Sequence, residues 1–256
     1  MSMPPVFVIN LDKSTDRMVK ISKRLSELGI AFERISAVYG ADLSQEEIDK
    51  YYCPELNKKN YRRPLGLGEI GCYLSHIKVW EIIVERKIPC ALILEDDIQF
   101  DNDFKPVVHH LSRYSKGFDV VKLYVKKLKP KIIASTPITE KQHLCALKKI
   151  PISTRAQLVS LCGSKKLIKN FSKFGRPIDV DMQYWWKADL KILSTVPSIA
   201  SPTGGSASEI DKQGARRGST YWLNSAKNIV RKIKYEFLLR TKHQDKSLPH
   251  VEKLVI

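Results

Sequence analysis

Ala91-Leu92-Ile93-Leu94-Glu95-Asp96-Asp97-Ile98 joins a short apolar run to three consecutive carboxylates. The apolar half, 91–94, reads as a strand buried on both faces, the kind found in parallel sheets. Adjacent like charges repel, so a cation is the simplest means of holding the three acids together. Hard oxygen donors of this type suit Mg²⁺ or Mn²⁺. Strand alternation sends Glu95 and Asp97 to one face and Asp96 to the other. In open α/β sheets, ligands sit beyond the carboxyl ends of strands, where this trio lies. The competing reading is an acidic turn that merely ends a strand and stays solvated.

Outward from that stretch, 256 residues with 43% hydrophobic content can build one large α/β domain or a domain with an appendage. No uninterrupted apolar run approaches the roughly 18–20 residues of a membrane span. Met1-Ser2-Met3-Pro4-Pro5 leads directly into a strand without a signal-peptide pattern, which makes the cytosol the expected compartment. Five scattered cysteines without a C-x-x-C signal neither a disulfide frame nor a zinc site. The net charge of +17 implies an acidic partner: nucleic acid, nucleotide, phosphorylated glycan or anionic membrane. That excess is concentrated. Residues 122–149 carry eight Lys against Glu140, and residues 212–256 carry eleven Lys/Arg against three acids.

In chain order, 6–9 reads as a strand, and Asn10-Leu11-Asp12-Lys13 as the loop after it. A helix follows, capped by Ser14 or Thr15, with Met18, Ile21, Leu25 and Leu28 on its apolar face and Gly29 as its stop. A second strand at 32–38 completes a βαβ unit, without the G-x-G-x-x-G of dinucleotide sites. Arg17 lies in the first turn of that helix, a poor place for a cation unless an anion is near. That anion is either a nucleotide phosphate or a surface partner, Asp12 or Asp16.

Ser44 and Glu47 form a capping box opening a helix at 45–52, and the Pro- and Gly-containing 53–67 reads as a loop. A long helix is expected from 68 to 87, with Ile70, Tyr73, Leu74, Ile77 and Val84 as its buried stripe. Glu69 and His76 lie on it, and a lone His on such a face is ordinarily a packing residue. Further on come a helix at 103–114, a strand at 119–125, and loops with an edge hairpin in 126–149. A strand at 156–161, a helix at 163–174 and a last strand at 190–196 follow. Asp179 and Asp181 stand at a helix start, where the dipole favours acids. Tyr184, Trp185 and Trp186 behind them would suit either packing or a sugar-binding floor. Residues 198–218 read as mobile, setting a boundary between a domain at 1–217 and a tail at 218–256. The tail helix, 221–240, is basic and amphipathic, with Trp222, Ala226, Ile229 or Val230, Ile233 and Phe237 on one face. It either lies on an anionic membrane or docks on the domain. Residues 241–256 show no periodicity.

These motifs together resemble glycosyltransferase family 25, the lipooligosaccharide galactosyltransferase family. Three blocks carry the likeness: Val8-Ile9-Asn10-Leu11 followed by Asp16-Arg17; Gly68-Glu69-Ile70-Gly71-Cys72-Tyr73-Leu74-Ser75-His76-Ile77 running on to Trp80; and Leu94-Glu95-Asp96-Asp97. Asp119-Val120-Val121-Lys122-Leu123 and Pro177-Ile178-Asp179 are weaker matches. The resemblance spans about residues 6–200, and collagen galactosyltransferases carry a similar acidic triplet. It implies a GT-A-like fold, an α/β protein with a mixed, mostly parallel sheet flanked by helices, here with a basic C-terminal helical tail. It also implies a UDP-sugar donor, usually UDP-galactose, inversion at the anomeric carbon and a divalent metal, Mn²⁺ or Mg²⁺.

On that footing Asp97 and Glu95 become candidate metal ligands. Asn10, Leu11, Arg17, Glu69, His76, Glu95, Asp96 and Lys122 become candidate donor-binding residues. Asp179, or failing it Asp181, becomes the base that takes the acceptor hydroxyl's proton, unless either binds donor-sugar hydroxyls instead. The implied acceptor is a phosphorylated glycolipid at the inner face of the cytoplasmic membrane, with the basic tail touching that anionic surface. Two other classes compete. A nucleic-acid-binding module would interleave aromatics with its cations, and 126–149 holds no Phe, Tyr or Trp, so no nucleic acid is expected. A metal-dependent phosphoesterase would use the same acidic cluster on phosphate esters.

Overall fold

A computed structural model describes residues 3–126, 129–203, 221–242 and 248–254. Eight strands form one mixed sheet in the order β2-β1-β3-β8-β5-β9-β7-β6. They are β1 (Val6–Asn10), β2 (Glu33–Ser36), β3 (Cys90–Glu95), β5 (Val120–Lys122), β6 (Ile132–Pro137), β7 (His143–Leu147), β8 (Ala156–Ser160) and β9 (Ile192–Val196). β1 runs parallel to both β2 and β3, β5 runs parallel to β9, and β8 is inserted antiparallel between β3 and β5. The lysine-rich stretch supplies the β6–β7 hairpin at the sheet edge, the placement expected of it. Short β4 (Ile98–Phe100) and β10 (Ala200–Pro202) pair separately.

Period-two alternation sorts the strand side chains into two cores, one on each face. Phe7, Ile9, Ala91, Ile93, Val120 and Ile192 point to one face, and Val6, Val8, Leu92, Leu94, Val121 and Leu193 to the other. α1 (Thr15–Glu27) and α5 (Phe104–Ser112) cover the second face through Ile21, Leu25, Phe104, Val108 and Leu111. The first face is covered by α4 (Leu67–Glu85) and α6 (Leu161–Phe171). α4 is buried around most of its circumference, down to Ser75 and His76, as befits a helix wedged between elements. In its last turn Ile83 is fully buried, whereas Val84, expected there, is half-buried. Gly71 permits the wedge: a Cβ there would meet the Val38 carbonyl oxygen at 2.5 Å.

Most elements are shorter than the sequence reading has them, β5 spanning 120–122 rather than 119–125, and three differences go further. Residues 53–67 hold a helix, α3 (Pro54–Asn60), because Pro54 occupies the first helical position, where its missing N–H is no loss. The 161–171 helix begins earlier than expected, since the Ser160 hydroxyl accepts from Gly163 N at 3.0 Å and caps it. Residues 248–254 pack back onto the domain. Val251 is buried in the second core, and His110 Nε2 lies 2.6 Å from the Glu252 carbonyl oxygen. The remaining helices are α2 (Gln45–Tyr51), capped as expected by Ser44 and Glu47, α7 (Ile178–Met182) and α8 (Tyr221–Thr241).

α8 docks on the domain through Tyr235 and Leu239, both buried. Tyr235 meets Tyr184 edge-on and stacks near Trp186, so these aromatics serve as a platform for the helix. The stretch 204–218, the boundary at 217/218, and the side chains of Trp222, Ala226 and Lys227 lie outside the described residues.

Candidate active site

The acid trio opens into a cavity of about 350 Å³ at the carboxyl ends of β1 and β3. Six separate segments wall it, one of them the 37–40 stretch after β2. Leu11 and Arg17 come from the loop and first turns after β1; Glu69, Cys72 and His76 come from α4. The trio itself forms the floor, Ser153, Thr154 and Arg155 come from the strand-leading segment before β8, and Asp179 comes from α7.

Each member of the trio points to different partners. Asp96 turns towards β1, accepting from Asn10 Nδ2 at 2.7 Å and from Arg17 Nη1 at 3.3 Å. Arg17 therefore pairs with neither Asp12 nor Asp16 but with the trio, while Asp12 is taken by Arg34. Glu95 turns the other way, to Thr154 Oγ1 at 2.6 Å and His76 Nε2 at 3.3 Å. Asp97 accepts from Arg155 Nε at 3.0 Å through both carboxylate oxygens.

Burial alone would raise Glu95, but the His76 hydrogen bond and charge, the Thr154 hydroxyl and Arg155 hold it below the usual carboxylate value. Asp97 stays above its ordinary value, because burial and the neighbouring Glu95 charge outweigh Arg155. Asp96 is likewise raised, by burial before all else, against Asn10 and Arg17. Arg17 and Arg155 pair with two of the three carboxylates, and the oxygen donors of the trio fit a hard divalent cation. Asp97, with Glu95 or Asp96, would hold one. A second donor set, Cys72, His76 and Glu95, brings ligand atoms within 4.8 Å of one another. Burial and the acids around it push the Cys72 thiol well up, however, and a protonated thiol is a poor ligand. His76 Nδ1 is buried without a hydrogen-bond partner among the described residues.

The paired acids of α7 part company. Asp179 lines the cavity, raised above the ordinary aspartate value by burial, against the pull of Lys122 and the Val180 N–H. Asp181 does not line it. Its carboxylate accepts from Arg176 Nε at 2.6 Å and from the Tyr73 hydroxyl at 3.2 Å, in the core beneath. Glu69 reaches the cavity wall but is held by Arg63 at 2.6 and 2.9 Å and caps the Gly66 N–H at 2.9 Å. Lys122 lies below the floor, donating to the Ser153 carbonyl at 2.7 Å, and burial lowers it to about 8 against Asp179 and Glu95.

Arg155 and Thr154 carry no sequence motif. Arg155 reaches the trio because β8 runs antiparallel beside β3, with Leu94 opposite Ala156 and the Glu95 N–H donating to the Arg155 carbonyl at 2.8 Å. The 58 residues between Asp97 and Arg155, and the 59 between Glu95 and Thr154, are closed only by that register.

Fold and cavity together define a mixed α/β protein whose acid-floored cleft lies at the carboxyl end of its central strand. Family comparison gives this class a narrower place. Residues 3–182 match the family model described as glycosyltransferase family 25 (LPS biosynthesis protein). Procollagen galactosyltransferase 1-B of Xenopus laevis is 32% identical over 225 residues, covering 79% of this chain and 36% of the relative. Procollagen galactosyltransferase 2 of Mus musculus is 26% identical over 227 residues, with the same shares. A glycosyltransferase 25 family member of Drosophila melanogaster is 30% identical over 174 residues, 66% of this chain and 28% of that one. The chain spans about a third of the length of these relatives. It belongs to glycosyltransferase family 25.

Proposed function

We propose that this chain transfers a hexose, galactose in the first instance, from a UDP-sugar to an acceptor hydroxyl with inversion at the anomeric carbon. One observation carries the reading: the trio, Arg17, Arg155 and Asp179 converge on one cavity although they come from four separate segments. Cleaving a sugar–phosphate bond builds positive charge on the sugar and negative charge on the departing diphosphate. Arg17 and Arg155 supply cationic edges for that diphosphate. A divalent metal held by Asp97 and its neighbours would add Lewis-acid neutralisation of the same charge. Asp179 takes the proton as the acceptor oxygen bonds to the anomeric carbon from the face opposite UDP. The raised affinity of Asp179 for a proton suits that task.

For the acceptor we favour a phosphorylated glycolipid at an anionic membrane surface; procollagen, which the relatives' names carry, is the competitor. Supporting the membrane is the outer face of α8. Ile229, Val230, Ile233 and Phe237 are each more than half exposed, on the side away from the buried Tyr235 and Leu239, beside Lys232, Lys234 and Arg240. No helix among the described residues is long and apolar enough to cross a membrane, so contact would be interfacial.

Thermal-shift measurements against a panel of UDP-hexoses, with and without Mn²⁺, test the proposal. The expected result is preferential stabilisation by UDP-galactose with Mn²⁺, and loss of metal-dependent UDP release in Asp97→Ala. Indifference to every UDP-sugar would reject the transferase reading, and unchanged turnover in Asp97→Ala would reject the metal assignment.

A further inference from the structure

A second cavity, of about 480 Å³, lies between residues 125–126 and 130–131 ahead of the β6–β7 hairpin, the 148–152 segment after it, and α8. Its walls combine two chemistries. Lys126, Lys131, Lys148 and Lys149 supply cations, while Ile150, Ile152 and Leu239 supply apolar surface. Among the described residues the only acid lining it is Glu236, whose Oε1 is 3.9 Å from Lys149 Nζ. Among the described residues, Lys126, Lys131 and Lys148 have no carboxylate partner. Gathering like charges around one groove raises their mutual energy, and an entering anion relieves it. Apolar residues set among those cations exclude a bare polyanion as the best fit. They match a phosphate attached to a hydrocarbon chain.

The groove also shares a wall with the catalytic cavity. Pro151 and Ile152 line the groove, and the next three residues, Ser153, Thr154 and Arg155, line the cavity. Both sides of that wall are pinned. Gln183 Nε2 donates to the Ile150 carbonyl at 2.7 Å on the groove side. On the cavity side Lys122 holds the Ser153 carbonyl and Thr154 holds Glu95. A ligand seated in the groove therefore lies one short, anchored segment away from the reacting centre.

We propose that this groove binds the phosphate-bearing, apolar-tailed part of an amphiphilic ligand and serves as the acceptor subsite. The subsite role rests on the transferase reading; the binding itself does not. Dodecyl phosphate below its micelle-forming concentration is the probe, followed by calorimetry. Inorganic phosphate and dodecyl maltoside are the two comparison arms, and Lys131→Glu/Lys148→Glu and Ile152→Ser are the variants.

Dodecyl phosphate should bind the wild type at least tenfold more tightly than either comparison ligand. The double lysine variant should lose at least tenfold of that affinity, and Ile152→Ser should lose a smaller part, while UDP-galactose binding stays unchanged in both. Equal affinity for dodecyl maltoside, equal affinity for inorganic phosphate, or full binding by the lysine variant would each overturn the proposal. If dodecyl phosphate binds as expected but no UDP-sugar does, the groove stands as a binding site and the transferase reading falls, taking the subsite role with it.

Discussion

Asp181→Asn separates a structural carboxylate from a catalytic one. Asp181 and Arg176 form an ion pair with side chains only 6% and 5% exposed, joined by Arg176 Nε at 2.6 Å. Removing one partner of a buried pair costs about 3–5 kcal/mol, since the remaining charge is left uncompensated. Two contacts soften the loss. The new amide still offers an oxygen to Arg176 or the Tyr73 hydroxyl, and the Arg176 guanidinium keeps its place 3.9 Å from the Tyr184 ring centre. The expected cost is therefore near the lower bound, about 3 kcal/mol, or roughly 6–12 °C in Tm for a chain of this size. Thermal melts followed by circular dichroism measure it, with turnover assayed well below the transition, where the folded enzyme should work within about threefold of wild type. An Arg176→Met/Asp181→Leu double variant should be less destabilised than the sum of its single changes, because neither charge is then stranded. An unchanged Tm with turnover lowered a hundredfold or more would refute this and make Asp181 the base.

Asp179→Asn should behave in the opposite way. Turnover should fall by roughly 10²–10⁴ with UDP-galactose affinity little changed, and the wild-type rate should decline with falling pH along a limb above the ordinary 3.8. A rise in KM with kcat intact would assign Asp179 to sugar binding instead. Lys122→Met tests a buried cation. Because its folded value is about 8 against 10.5, the unfolded chain binds more protons between those pH values, and wild-type stability should rise with pH across that window. The penalty is fully present below about pH 8; the variant lacks the slope, and the two curves should converge by up to roughly 3 kcal/mol on going alkaline. Urea melts at pH 7.5 and 10 decide it, with parallel profiles as the contrary result. Ile233→Glu/Phe237→Glu should release the protein from vesicles containing anionic lipid in a sedimentation assay while leaving its melt within about 2 °C, since both side chains face away from the domain. Undiminished sedimentation would end the membrane reading.

Much of this protein is local information. The apolar run before Glu95 and the 3.6-residue stripe of α1 announced their elements because burial imposes a period on the chain. The glycine-bearing block before Trp80 did the same for α4. The family resemblance rested on those same stretches, and the family match spans them. α3 escaped because proline reads as a breaker unless its position within the helix is known. The 248–254 segment escaped because it has no period of its own; its order comes from the surface it packs on.

The composition of the site was only half legible. Glu95, Asp96 and Asp97 declare themselves as adjacent acids, and the sequence alone could place them at the end of a central strand. Which of them meets Arg17, which meets His76, and that Arg155 belongs beside Asp97 were decided by strand order and antiparallel register. Likewise Asp179 and Asp181 are indistinguishable as letters two positions apart. On a helix that spacing turns side chains by about 200°, so one faces the cavity and the other the core. Composition and periodicity act along the chain, whereas electrostatic partnership acts through space, and only the folded chain determines which distant charges become neighbours.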